Sequence, residues 1–215
     1  MKYKKIVAFG DSFVQGLIKE PHEISSKEMR RINFVTRLGE LYNIPVINFG
    51  WRGFGQNAIA YDVVNYLMNN KPNPETLFLV VWSGFARKTE FDWKTYRYTK
   101  FKETSKDSFF IDSLYNNTVN IRGTYSLLLD NKQPFIMLNS FIDLFEIDEL
   151  NFKGIEKYWI NETLFEMCVG KGNLIAKDGT EYYYNDHPNL AKCKHPSEKG
   201  HKVIAKKLQN YIEMY

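Results

Sequence analysis

Cysteine is scarce. The 215 residues hold two, Cys168 and Cys193, with no Cys-x-x-Cys pair and no Cys/His spacing that would hold zinc tetrahedrally. Neither a metal site nor a cofactor is expected, and a reducing compartment is the simplest setting. Long apolar runs are missing as well: stretches such as Leu77 to Trp82 are strand-length, far short of the roughly 20 residues that cross a bilayer. No membrane span is expected. The N-terminus passes from Met1 directly into the first strand and leaves no room for an export signal, so the expected location is the cytoplasm. Charge of one sign is also lacking. The 29 Lys and Arg are scattered among 25 Asp and Glu, and the net charge of +4 gathers on no single element, so a nucleic-acid partner is not indicated. No internal repeat or low-complexity tract is present.

What is present suits a globular α/β chain. A 44% hydrophobic content with 16% aromatics over this length is enough for one well-buried core, and one domain spanning 1–215 is the expectation. Lys4 to Phe9 has the apolar run of a buried strand, broken by Gly10. Phe34, Leu38, Leu41 and Tyr42 recur at helical spacing up to Asn43. Pro45 to Phe49 is a second strand, and Gln56 to Asn70 a helix with Ile59, Val63, Tyr66 and Leu67 on one side. Thr76 to Trp82 is apolar and β-branched, as a strand covered on both faces should be. A helix is expected over about Ser113 to Asn131, a fourth strand over Pro134 to Asn139, and a last helix from Pro196 onward carrying Val203, Ile204, Leu208, Tyr211 and Ile212. Two irregular insertions, near 87–112 and 141–184, show no clean periodicity. Strands alternating with helices predict a three-layer sandwich around a central parallel sheet, with sites outside the carboxyl ends of the strands.

The chemistry-bearing residues gather at those ends. Ser12 lies in a Gly-Asp-Ser turn after the first strand, and His195-Pro196 precedes the last helix. A serine hydroxyl is a poor nucleophile until a base lies against it, and the far end of the chain offers one. The alternative for Asp11 and Ser12 is helix capping, for which both residue types are favoured.

These segments resemble the sequence blocks of the SGNH, or GDSL-like, hydrolase superfamily. Phe9-Gly10-Asp11-Ser12 is similar to the opening block, and the resemblance implies Ser12 as nucleophile with its own N–H toward the oxyanion. Asn48-Phe49-Gly50-Trp51-Arg52-Gly53 is similar to the second block, where Gly53, with Gly50 as rival, would offer a second backbone N–H. The third block departs from the family. Trp82-Ser83-Gly84-Phe85-Ala86-Arg87 stands where Gly-x-Asn-Asp is usual, which leaves Ser83, Arg87 and Asn57 as candidate substitutes for the missing amide. His195-Pro196-Ser197-Glu198-Lys199-Gly200-His201 is similar to the last block and implies His195 as general base. The aspartate that the family places three residues earlier is Lys192 here, so Asp186 is the candidate to orient the ring. His187-Pro188-Asn189 also resembles the block and is the rival base, while His201 is expected to be structural or exposed.

The resemblance implies a flavodoxin-like SGNH fold and hydrolysis of a carboxylic ester, with an O-acetylated carbohydrate or short acyl ester as substrate. The alternatives are a binding or virion-associated protein using the same cleft, or an acyltransferase. The Asn, Lys and Tyr content and the altered blocks also resemble SGNH-like proteins of large tailed bacteriophages, which implies a host cytoplasm or a virion.

Overall fold

The computed structural model describes residues 2–16, 31–84, 89–92, 97–100, 106–141, 152, 154–170, 176–177, 181–182, 187–191 and 195–214. Only the backbone is described at 89–92, 97–100, 106–114, 176–177 and 181–182. Four parallel strands form the central sheet in the order β2-β1-β3-β6: β1 Lys5–Gly10, β2 Val46–Gly50, β3 Thr76–Trp82 and β6 Phe135–Asn139. The numbering leaves β4 Thr89–Asp92 and β5 Arg97–Lys100 for an antiparallel hairpin, and β7 Ala176–Lys177 and β8 Glu181–Tyr182 for a second small one. The helices described from end to end are α1 Ser12–Gln15, α2 Phe34–Tyr42, α3 Gln56–Asn69, α4 Lys106–Asp130, α5 Leu164–Val169 and α6 Glu198–Met214. Among the described residues no helix is long and apolar enough to cross a membrane.

The two-residue period of the strands builds a core on each face of the sheet. Ile6 and Ala8 of β1, Leu77, Leu79 and Val81 of β3, and Ile136 and Leu138 of β6 pack with α2, α5 and α6. Their alternates Val7, Phe9, Phe78, Val80, Trp82, Phe135 and Met137 pack with Ile59 and Val63 of α3 and Ile121 and Leu128 of α4. This is the expected three-layer α/β sandwich. Burial on both sides explains why β1, β3 and β6 read as continuous apolar runs, whereas β2 at the edge alternates between half-buried and exposed.

Some boundaries differ from expectation. α4 starts at Lys106, seven residues before the expected Ser113, and the β4–β5 hairpin occupies part of the 87–112 insertion. The 141–184 stretch holds α5, a 3₁₀ turn over Glu156–Tyr158 and a parallel bridge from Trp159 to Met137. That bridge, in which the Ile160 N–H reaches the Met137 carbonyl at 2.8 Å, takes the place beside β6 where a fifth strand would lie. One bridging residue leaves no alternating pattern to read. α5 is only six residues long, but its Thr163/Glu166 capping box is reciprocal, with bonds of 3.1 and 2.8 Å.

Candidate active site

Gly10 ends β1 because no side chain fits there: a Cβ would overlap Val14 and approach the Val81 carbonyl at 3.0 Å. The chain then turns into α1, a single helical turn closed by Gly16 in the left-handed region (φ 88°). Asp11 is the N-cap, its carboxylate accepting the Phe13 N–H at 2.9 Å. Capping falls to the first of the two neighbours, not to both. Asp11 caps, and Ser12 presents its hydroxyl 2.8 Å from Nε2 of His195, across 183 positions of sequence. As the first residue of α1, Ser12 has no carbonyl partner for its N–H within the helix.

Asp11 has a second task that its neighbours in sequence do not reveal. Its other carboxylate oxygen accepts hydroxyl protons from Ser83 and Ser140, each at 3.0 Å. Ser83 follows β3 and Ser140 follows β6, so one buried carboxylate ties together the carboxyl ends of three strands directly beneath the serine. A carboxylate with several donors in a buried setting is well satisfied. The same contact settles where the Ser83 hydroxyl proton points: toward Asp11.

The second glycine segment is held against the first. Asn48 donates to the Val14 carbonyl at 2.7 Å and accepts the Gly50 N–H at 2.7 Å, and the Trp51 N–H reaches the Gly10 carbonyl at 3.1 Å. Gly50 therefore spends its N–H on Asn48, and a Cβ there would run into the backbone of Val14 and Gln15. Gly53 is the residue with left-handed geometry (φ 83°), a conformation that suits glycine. Asn57 lies half-buried in the first turn of α3, and the neighbouring Gln56 is buried and donates to the Ser83 carbonyl at 2.8 Å.

The histidine loop is clamped from behind. Ala191 donates to the His195 carbonyl at 2.8 Å, Ser197 to the Asn189 carbonyl at 2.7 Å, and Leu190 bridges Pro196. The Asn189 side chain donates to the Cys168 carbonyl at 2.7 Å, and Gly200 comes so close to Asn189 and the Cys168 sulfur that a side chain would not fit. Burial pushes the Cys168 thiol up to about 12, so it stays protonated at neutral pH. The His195 ring packs on Phe13 at 5.1 Å between centroids, and Phe13 rests on Phe141 at 6.2 Å. His187, the rival base, turns Nδ1 to the N–H of Asn189 at 3.2 Å. His201 is not exposed but fully buried, stacked on Phe34 at 6.1 Å, with no hydrogen-bond partner for either ring nitrogen. Burial first, then the charges of His195 and Arg37, lower its pKa to about 3. Asp186, Arg87 and Lys192 lie outside the described residues.

Of the residues singled out in the sequence, the fold brings Ser12, His195 and Ser83 to one edge of the sheet, with the Gly50–Gly53 loop beside them. Capping by Asp11 was legible in the sequence, but its bonds to Ser83 and Ser140 and the parts played by Ser140, Asn48 and Asn189 were not. Asp11 and Ser140 each stand one residue past the end of a buried strand, a signal that points to a fixed partner only once strand order is known; Asn48, inside β2, and Asn189, in the histidine loop, carry no such signal.

No protein-family model and no curated protein sequence matches the chain. Solved structures do. An acetyl-xylooligosaccharide esterase from Geobacillus stearothermophilus superposes with a TM-score of 0.60 at 15% identity, covering 99% of this chain and 96% of that one. A member of the lipolytic G-D-S-L family from Veillonella parvula gives 0.55 at 13% identity, over 98% and 99%. An acetyl xylan esterase from the rumen bacterium Butyrivibrio proteoclasticus gives 0.58 at 12% identity, over all of this chain and 64% of that one. The chain thus has the α/β fold of the G-D-S-L lipolytic proteins and acetyl xylan esterases; at these identities the likeness is one of fold.

Proposed function

We propose that this chain is an SGNH-type serine ester hydrolase in which Ser12 is the nucleophile and His195 the general base. The observation that carries the reading is the 2.8 Å contact between Ser12 Oγ and His195 Nε2, made by residues from opposite ends of the chain at the carboxyl edge of a parallel sheet. His195 Nε2 takes the hydroxyl proton as Oγ attacks the ester carbonyl carbon. The carbonyl π electrons pass to oxygen, and the N–H groups of Ser12 and Gly53 receive the oxyanion. Collapse of the tetrahedral intermediate expels the alcohol, which takes the proton back from His195. Water then repeats the sequence on the acyl-enzyme and frees Ser12.

Gly50 gives its N–H to Asn48, and Gly53 is taken as the second donor because the resemblance of its segment to the family's second block implies it there. Ser83 serves the site from beneath, holding Asp11, and the missing third-block amide is assigned to Asn57 in the first turn of α3. Asp186 is retained as the group that orients His195, and Arg87 as an oxyanion or substrate contact. The substrate class is an O-acetylated carbohydrate or another short acyl ester, a choice supported by the acetyl xylan esterases that share the fold.

Hydrolysis of p-nitrophenyl acetate by the parent, Ser12→Ala and His195→Ala proteins tests the reading. Both substitutions are expected to lower kcat/KM by at least about 1000-fold with unchanged far-UV circular dichroism, because members of such a unit fail together. Parent and Ser12→Ala rates that agree would remove Ser12 from the chemistry and leave a binding protein.

A further inference from the structure

His195 stands in a loop, yet its ring is held at hydrogen-bond distance from Ser12. The loop is closed on itself by the Leu190–Pro196 bridge, by the Ala191 N–H on the His195 carbonyl at 2.8 Å and by the Ser197 N–H on the Asn189 carbonyl at 2.7 Å. Closure gives the loop a shape but not a place. Asn189 supplies the place. Its Nδ2 donates to the Cys168 carbonyl at 2.7 Å, and its own carbonyl accepts the Cys168 thiol proton at 3.1 Å. A carbonyl can only accept, so it is the nitrogen end of the amide that this contact needs. The Oδ1 end is shielded from solvent and has no hydrogen-bond partner.

Cys168 belongs to α5, and the shortness of that helix suits it to the task. Its six residues rise only about 9 Å, and the first N–H and last carbonyl groups of any helix lack partners within it, so α5 offers polar backbone at both ends. At the N-terminal end the Phe165 N–H reaches the Ser140 carbonyl at 3.0 Å. At the C-terminal end the Cys168 carbonyl takes the Asn189 amide. Between them Leu164, Phe165, Met167 and Cys168 are buried in one core with α6, so α5 cannot shift without repacking. Ser140 in turn gives its hydroxyl proton to Asp11, the neighbour of Ser12, at 3.0 Å. Nucleophile and base are therefore fixed to one frame. The path runs from Asp11 through Ser140, α5 and Asn189 to the histidine loop, and the 2.8 Å contact closes it.

We propose that Asn189 is the positioning residue of His195, fastening the histidine loop to α5 and so setting the ring against Ser12. Without the Asn189 donor the loop keeps its own closing bonds but loses its bond to the Cys168 carbonyl, and Nε2 drifts from Oγ. Asn189 touches neither reacting atom and acts through the backbone that carries His195. The proposal rests on the reading of Ser12 and His195 as a working pair.

Asn189→Leu keeps the size of the side chain and removes its donors; Asn189→Ala is run beside it and decides in its place if the leucine variant does not fold. One readout is the His195 Nε2 signal in nitrogen NMR of histidine-labelled protein, assigned with His195→Ala, at a pH where the ring is neutral. The other is p-nitrophenyl acetate turnover. Ser12→Ala is expected to move the signal in the parent. Asn189→Leu is expected to move it to the same place, with Ser12→Ala adding nothing further, the mark of two coupled positions. In turnover, kcat is expected to fall about 100-fold with KM changed by less than about twofold, the cost of a misplacement near 1 Å. Ile212→Val, buried at the far end of α6, controls for lost stability and is expected to keep the parental kcat. A folded Asn189→Leu protein with the parental signal, or with the parental kcat of an active parent, overturns the proposal, as does an Ile212→Val protein that loses as much activity. A parent that hydrolyses no ester, but whose signal responds to both substitutions as described, loses the hydrolase reading and keeps the positioning role. A parent signal indifferent to Ser12→Ala overturns both.

Discussion

At the scale of single residues, the site depends on polar groups held where water cannot compete for them. Asp11 is 1% exposed and Ser83 and Ser140 are fully buried, so their mutual bonds persist without solvent exchange and fix the backbone from which Ser12 projects. His201 is the contrasting case. It is a buried imidazole with neither nitrogen satisfied, one turn from the loop that carries His195, facing Arg37 of α2. Its folded pKa of about 3 lies below the ordinary 6.5, so the fold holds it neutral. The stability tied to that neutral ring is full above pH 6.5 and is lost progressively as pH falls toward 3, at up to about 1.4 kcal/mol per pH unit. His201→Phe keeps the stack on Phe34 and removes both unsatisfied nitrogens. Urea titrations are expected to find the variant at least as stable as the parent at pH 7, and ahead of it by about 2 kcal/mol more at pH 5. An equal loss in both proteins on acidification would place the acid sensitivity elsewhere.

At the scale of elements, Gly50 allows backbone to approach backbone. β2 and α1 touch because Gly50 has no side chain, and that contact sets the height of the serine turn above the sheet. Gly50→Ala is expected to destabilise the protein by about 2 kcal/mol or more through overpacking against backbone that cannot yield, and to lower esterase activity with it. Gly84→Ala, whose added carbon meets nothing within 4 Å, is the matched control and is expected to leave both unchanged. Chemical denaturation and p-nitrophenyl acetate turnover of the two variants decide the matter, and equal behaviour would contradict the account. The elements also show what local pattern can convey. β1, β3 and β6 are legible because burial on both faces demands an unbroken apolar run, and α3 and α6 because their buried stripes recur at helical spacing. The bridge at Trp159 and the six residues of α5 are too short for any period, and are stabilised by a capping box and by packing on β6.

At the scale of the whole molecule, the order β2-β1-β3-β6 does what no local motif can. It sets the turn after β1 between the ends of β2 and β3, and so gathers Asn48, Gly50, Ser83 and Ser140 around Asp11 and Ser12. The Gly-Asp-Ser turn and His195 could be read from the sequence because residue type and position after a strand or before a helix identify them. The partners of Asp11, Ser83 and Ser140, could not, because polar residues at strand ends look alike until strand order is known. The same layering sets α2, α5 and α6 on one face of the sheet and α3 and α4 on the other, and leaves the carboxyl edge to Ser12 and His195.

The central claim is that the 2.8 Å contact makes Ser12 a working nucleophile, and covalent labelling with a fluorophosphonate ester at neutral pH tests it most directly. The tryptic peptide Ile6 to Lys19 contains Ser12 as its only serine, so mass spectrometry locates the adduct without ambiguity. One label per chain is expected on that peptide and none in His195→Ala; a parent protein that labels no faster there than Ser12→Ala would show that the contact does not activate the serine.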